Sequence, residues 1–428
     1  MRRDAFWSGL EAGVGAILSI VTSFVVARIV GPAELGIGAA ATVVHVILWV
    51  AVNSLFADAL VQRPSLDERV MSSAFWASCL VGCLAMVLQA ASGWGLAAMF
   101  GDSRLLPMCL VLAAPLPLVG AAGVVQGLLT RERAYRRLAL RTLIGQVLGT
   151  VVGVLAALGG AGAWAFVCQQ AVTSTCGALT LLLGRGWKPA RHLDPTAIKS
   201  LLTVGLPLTA ATLVMIARYR LFAVLLGGTA GAVVLGQTHI AFRLVDTVRE
   251  LTFTALWRLM LPALSQHQQD RQALLFQVDL WLRRCVMIVG PLCAILAIGL
   301  TQVVALVMGP NWTVAGQAAL PLVALLAWSG CTFPSGVALV ALGQARLALY
   351  ANLGSLVCST LGVLAWRPTD PWQAVMIWTV SQILVSPYLM WASARALRVG
   401  IFRPLTGGFT GRTAAGEAGS RLATRSRT

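Results

Sequence analysis

"GVVQGLLTRERAYRRLALRTLIGQVLGTVVGVLA" occupies residues 123–156. Two apolar arms flank a basic middle that holds Arg131, Arg133, Arg136, Arg137 and Arg141. Each arm belongs to an apolar run of the roughly 20 residues needed to cross a hydrocarbon layer. The stretch therefore reads as two membrane spans joined by a basic connection. A second stretch, "GVALVALGQARLALYANLGSLVCSTLGVLA" at 336–365, has the same plan. It opens on Gly-Val, carries a basic middle and closes on Gly-Val-Leu-Ala. "ELGIGAAA" from Glu34 and "VLGQTHIA" from Val234 make another pair. A period of roughly 200–213 residues corresponds to six spans, so the two halves share one orientation, related by an axis along the membrane normal.

Outward from these pairs, about twelve apolar windows are long enough to span. Their approximate bounds are 6–29, 35–60, 71–92, 105–129, 142–158, 162–184, 200–226, 231–260, 283–308, 317–341, 347–366 and 373–396. The 428-residue chain is 58% hydrophobic and 11% charged, against about 25% charged in a soluble domain. Its mean hydropathy is +0.82. The fold class expected is an all-α polytopic membrane protein, with two pseudo-twofold six-helix lobes around a central cavity. The domains expected are an N-terminal lobe at 1–184, a cytoplasmic linker at 185–199, a C-terminal lobe at 200–402 and a disordered basic cytoplasmic tail at 403–428. The apolar run from Phe6 to Ile29 exceeds a signal-peptide core of about 7–15 residues and contains Glu11, so it reads as a retained first span.

The net charge is +17, but its placement matters more than its sum. Basic residues crowd into alternate connections, as Arg185, Lys188, Arg191 and Lys199 do, while the other side has Arg28, Arg104 and Arg367. That bias predicts both termini in the cytoplasm of a bacterial inner membrane. The positive charge is thus topological and membrane-facing; no nucleic-acid partner is expected. The nine cysteines lie in apolar runs with no Cys-x-x-Cys or Cys/His spacing, so no metal or cofactor is expected. Connections on the outer side are short, which argues against an extramembrane catalytic domain and against an enzyme.

Polar residues inside the spans point to function. In "AFRLVDTVRE", residues 241–250, Arg243, Asp246 and Glu250 share a helical face with His239, Thr247 and Thr254; Arg249 lies to the side. Each charge facing lipid at mid-depth would cost ~2.5–3.5 kcal/mol, so the face must meet protein or water. Asp246 is three residues from both Arg243 and Arg249, within pairing reach. Similar stripes run along the first span (Ser8, Glu11, Gly15, Ser19, Thr22), the second (Gly38, Thr42, His45, Trp49, Asn53) and the seventh (Gly205, Thr209, Thr212, Arg220). Pro207 predicts a kink in the seventh. Gly145, Gly149 and Gly153 predict close helix packing.

Four stretches resemble the polysaccharide transporter branch of the multidrug/oligosaccharidyl-lipid/polysaccharide flippase superfamily. "ARIVGPAELGIGAAA" (27–41) is similar to its Arg-x-Leu-Gly-Pro segment, with Val30 in place of Leu. "DALVQRPSLDERVMSSAFW" (58–76) is similar to its entry to the third helix, with Ser73 in place of Thr. "GAGAWAFVCQQ" (160–170) and "LMLPALSQHQQDR" (259–271) resemble two further segments. The resemblance implies a flippase carrying polyprenyl-diphosphate-linked oligosaccharide from the cytoplasmic to the periplasmic leaflet by alternating access. Membrane lipids, a polysaccharide polymerase and a co-polymerase are the other implied partners. Guanidinium groups suit phosphate, which makes Arg220 and Arg243, then Arg28, the expected diphosphate contacts. Glu11, His45, Asn53, His239, Asp246 and Glu250 are expected to line the cavity or couple transport to ions. The competing readings are a multidrug or cation antiporter of the same superfamily and a lipid II-type flippase.

Overall fold

The computed structural model describes residues 2–183 and 189–397, with the side chains of 1–12, 14, 16, 17, 345, 348 and 349 outside that description. The expected tail at 403–428 and the linker residues 185–188 therefore lie outside the described residues. No strand occurs among those described. The chain runs through α1 (Arg2–Val30), α2 (Pro32–Ser54), α3 (Ala57–Gln62), α4 (Glu68–Phe100), α5 (Leu105–Ala113), α6 (Leu116–Arg131), α7 (Tyr135–Leu158) and α8 (Trp164–Leu183). It continues with α9 (Pro195–Ala230), α10 (Ala232–Ser265), α11 (Arg271–Met308), a 3-10 turn at Pro310–Trp312, α12 (Thr313–Ala318), α13 (Leu320–Ala341), α14 (Ala345–Trp366) and α15 (Pro371–Leu397). In hydrocarbon a helix satisfies every backbone group internally, so an apolar chain of this kind is left with helices.

Among the described residues, nine helical stretches are long and apolar enough to cross a membrane, and Leu18–Val30 and Tyr350–Trp366 are shorter apolar helices. α10 is 34 residues long, but its charged stripe sets it apart in composition. The outward faces are apolar too. Leu80, Leu84, Val87 and Leu88 of α4 are exposed, as are Val147, Leu148, Val151 and Leu155 of α7. A soluble protein does not expose stripes of this size; lipid accepts them. The chain is an all-α, multi-pass membrane protein.

Several expected spans differ in detail. The second span breaks at Leu55–Phe56 into α2 and α3, the fourth at Ala114–Pro115 into α5 and α6, and the tenth between α12 and α13. Leu116-Pro117-Leu118-Val119 and Leu320-Pro321-Leu322-Val323 follow the last two breaks, with proline in the first helical turn, where its missing N–H costs nothing. The basic connection after α6 is also shorter than the sequence led us to expect. Only 132–134 form the turn, and Arg136, Arg137 and Arg141 lie on α7. Long arginine stems let a helix start before its apolar run begins. α9 runs unbroken through Pro207.

The chain forms two compact units. The first comprises Met1–His239 with Val307–Trp312, and the second Ile240–Leu306 with Thr313–Thr428. The first thus runs on past residue 184 to include α9. Within it, Gly145, Gly149 and Gly153 of α7 press on Thr173 and Gln169 of α8, where a Cβ would have no room, as the glycine spacing predicted. Thr22 of α1 and Thr150 of α7 bond through their hydroxyls at 2.8 Å. In the second unit, Leu256, Met260 and Leu264 of α10 pack on Leu274, Val278 and Trp281 of α11, on Val337 and Ala338 of α13 and on Leu397.

The repeat is visible in the backbone. Gly31 precedes α2 at φ 83°, ψ 169°, and Gly231 precedes α10 at φ 86°, ψ 171°. The contacts made just beyond these glycines are reciprocal, and both lie in the first unit. A Cβ on Gly36 would run into the carbonyl of Ala232, and one on Gly236 into the carbonyl of Pro32. Each partner is the other's counterpart at the 200-residue spacing of the Gly31–Gly231 pair (231 − 31).

Candidate functional site

α2, α9 and the first turns of α10 bring polar groups together inside the first unit. α9 lies tight on the α2–α3 break because Gly205 has no side chain; a Cβ there would meet the Leu55 carbonyl. One turn on, Thr209 and Ser54 bond through their hydroxyls at 3.2 Å. On the same face of α9 follow Tyr219 and Arg220. The Arg220 guanidinium carbon sits 5.6 Å from the centre of the Tyr219 ring, a distance at which the ring face attracts the cation. The Tyr219 hydroxyl is 3.4 Å from His239 Nδ1, and Phe166 of α8 meets the His239 ring edge-on at 6.1 Å.

His45 of α2 is wholly buried. It lies near the Leu112 carbonyl and within electrostatic reach of Arg220. Asn53 is half-buried, and its carbonyl receives Gly123 of α6 at close range. Arg28, exposed at the end of α1, donates from Nη1 to the Val307 carbonyl at 2.5 Å. The structure thus brings His45, Tyr219, Arg220 and His239 together, with Arg28 engaged separately. Glu11 lies on α1, but its side chain is outside the described residues.

The remaining expected residues belong to the second unit. Arg243 is half-buried with its Nε out of contact with solvent. Asp246 accepts from Arg249 Nε at 2.8 Å, one of the two pairings its spacing allows. Glu250 is exposed.

Three polar arrangements escaped the sequence reading. Arg104 binds two carboxylates: Nη1 and Nη2 donate to Glu34 at 3.0 and 2.9 Å, and Nε and Nη2 donate to Asp102 at 3.1 and 2.8 Å. Glu34 also accepts from the Ala163 N–H at 2.9 Å. One guanidinium therefore clips together the start of α2, the α4–α5 turn and the α7–α8 turn. Its hydrogen bonds hold the Asp102 carboxyl below the usual carboxylate range, and both carboxylates raise Arg104.

At the opposite end of α4, Ser72 and Ser73 accept from the N–H groups of Ala190 and Asp194 at 3.0 and 2.9 Å. The indole of Trp76 donates to the Ala190 carbonyl at 3.0 Å. Asp194 then caps α9 by accepting from the Thr196 N–H at 2.9 Å. This clasp fastens α9 to α4 through the described part of the linker, and gives the Ser-Ser-x-x-Trp of residues 72–76 a structural role. The third arrangement is the bond from Arg141 of α7 to Gln126 of α6.

Comparison with known proteins follows the same lines. The family described as "Polysaccharide biosynthesis protein" matches residues 25–317. The succinoglycan biosynthesis transport protein ExoT of Rhizobium meliloti (strain 1021) is 23% identical over 270 residues, 63% of this chain and 55% of that protein. The chain thus spans little more than half the length of that relative. The teichuronic acid biosynthesis protein TuaB of Bacillus subtilis (strain 168) is 24% identical over 359 residues, 81% of this chain and 72% of that one. Among solved structures, the lipid II flippase MurJ in an inward closed conformation superposes with a TM-score of 0.71 at 12% identity. That match covers 92% of this chain and 89% of MurJ, and shows a shared fold. With the match at 25–317 taking in both α2 and α10, the chain belongs to the polysaccharide biosynthesis protein family.

Proposed function

We propose that the protein is a flippase that moves polyprenyl-diphosphate-linked oligosaccharide from the cytoplasmic to the periplasmic leaflet of a bacterial inner membrane by alternating access. The observation that carries this is Arg220. It is a cation ten residues from the end of α9 (230 − 220), or about 15 Å along the helix from that end at 1.5 Å per residue. There it is stacked on Tyr219 rather than left in lipid. A fixed guanidinium at that position in a polysaccharide biosynthesis protein fits a diphosphate, which it binds bidentately. Arg243 of the second unit is assigned the same role, and Arg28 a weaker one at the outer end. His45, His239, Asn53, Asp246, Glu250 and Glu11 are the polar groups around that path.

In this reading the ends bearing Arg133 and the linker face the cytoplasm, both termini are cytoplasmic, and the repeat-related halves, 1–184 and 200–402, alternate their openings. A polysaccharide polymerase and its co-polymerase receive the product. The test is complementation of a flippase-deficient strain, with accumulated lipid-linked repeat units as readout. The wild-type chain is expected to clear the accumulation. Arg220→Ala and Arg243→Ala are expected to restore it at near-normal protein levels. Clearance by both variants overturns the assignment.

A further inference from the structure

Among the described residues two that are not glycine have positive φ, Arg133 at 56° and Arg367 at 44°. Arg133 stands at the α6–α7 turn. There the Arg133 N–H donates to the Thr130 carbonyl at 3.1 Å and the Ala134 N–H to the Leu129 carbonyl at 2.9 Å. This is a Schellman ending, and glycine is its preferred residue at the left-handed position because a Cβ is disfavoured there. The repeat-related turn after α13 follows that preference. Gly343, at φ 72°, occupies the same place, with Gly343 N–H to Val340 and Gln344 N–H to Leu339, both at 2.9 Å. One half of the molecule uses the unstrained residue. The other keeps an arginine at a conformational cost, and an outlier of this kind points to what its side chain does.

The surroundings indicate the chemistry. The turn joins two stretches long and apolar enough to cross a membrane, Leu105–Arg131 and Tyr135–Leu158, so crossing by both would set it at headgroup level. Arg131 is committed to structure: it donates to the Leu60, Arg63 and Pro64 carbonyls at the end of α3. Arg133, Arg136 and Arg137 are exposed. Arg63 bonds Ser200 of α9 at 3.0 Å, which brings Lys199 to this end. The carboxylates Asp67, Glu68 and Glu132 are here as well and leave the face basic overall.

We propose that the α6–α7 turn binds the phosphate of an anionic phospholipid, with Arg133 as the principal contact and Arg137 beside it. The site is independent of the cargo reading, since a resident lipid at a fixed turn differs from a transported one.

The test uses the purified full chain in detergent, with melting temperature measured after adding phosphatidylglycerol or phosphatidylcholine. Phosphatidylglycerol is expected to raise the wild-type melting temperature above the phosphatidylcholine value, and ~0.5 M salt is expected to shrink that increment. Arg133→Gly is expected to melt no lower than wild type in phosphatidylcholine, because glycine suits the backbone, while losing at least half of the phosphatidylglycerol increment. Arg133→Lys should keep most of it. An undiminished increment in Arg133→Gly overturns the proposal, as does a large drop in its basal melting temperature. Inorganic pyrophosphate provides the other arm. Stabilisation by pyrophosphate that depends on Arg133, with no phosphatidylglycerol increment, gives the turn to the cargo's head group and overturns the phospholipid assignment.

Discussion

Replacing Gly36 with alanine puts a methyl group where α2 meets the Ala232 carbonyl. The obstacle is backbone, so no rotamer change relieves it. α2 and α10 must part locally by on the order of an ångström, and overpacking of this kind costs ~1–3 kcal/mol. Under the alternating access proposed above, the cost falls on the state in which these helices touch. At ~2 kcal/mol the balance shifts roughly thirtyfold towards the parted state, since 1.4 kcal/mol is a factor of ten. Gly236→Ala, pressing on the Pro32 carbonyl, is expected to do the same. Because both methyl groups occupy one gap, parting for the first makes room for the second, and the double variant should cost clearly less than the sum. The reporter is Thr42→Cys, buried farther along α2 at 3% exposure. Its modification by an impermeant maleimide, added on the side bearing Arg104, is read by mass on the peptide containing residue 42. Gly36→Ala is expected to speed modification by tens of fold. An unchanged rate in a well-folded variant, or strict additivity in the double, refutes the idea that this contact opens.

The other predictions concern the polar clasps. Ser73→Ala leaves the Asp194 N–H without its partner and is expected to cost about 1 kcal/mol, seen as faster proteolysis or hydrogen exchange at 189–194; unchanged protection in Ser72→Ala/Ser73→Ala would show that the clasp is incidental. Arg104→Gln removes the cation shared by Glu34 and Asp102, and should lower the melting temperature modestly, because Arg104 is 43% exposed and such pairs contribute about 0.2–1 kcal/mol each. Asp102 is held below its ordinary value, so its contribution is complete above the unfolded pKa of about 3.9 and fades as pH falls through the lower folded value. Melting temperature should therefore show no Asp102-dependent change between about pH 5 and 8, and the difference between wild type and Asp102→Asn should shrink only below about pH 4.

The helices were legible because hydrocarbon imposes a length and a composition on each of them. The α7–α8 packing was legible for a similar reason: glycines every four residues leave little else to do on a helix face. The breaks at Leu55–Phe56 and Ala114–Pro115 were not, since an apolar window averages over the few residues where a helix is interrupted. Arg141 was misplaced in a loop because its charge outweighed its helical neighbours in that average. Ser72, Ser73 and Arg104 were hidden differently. A serine at a helix start looks the same whether it bonds water or a distant strap of chain, and Glu34 and Arg104 are 70 residues apart in sequence. Of the expected polar residues, spacing along one helix found the Asp246–Arg249 pair, whereas the meeting of His45, Tyr219, Arg220 and His239 depends on how three helices pack.

The mutual fit of the Pro32–Gly36 and Ala232–Gly236 segments is what an isologous interface looks like, in which a patch meets its own copy. A chain half as long would make it by pairing with an identical neighbour. Within one chain each side is free to differ, and they do: Pro32 corresponds to Ala232, and Glu34 to Val234. The two glycines that set the distance of approach are alike in both, so the twofold geometry is held at the positions that tolerate no side chain.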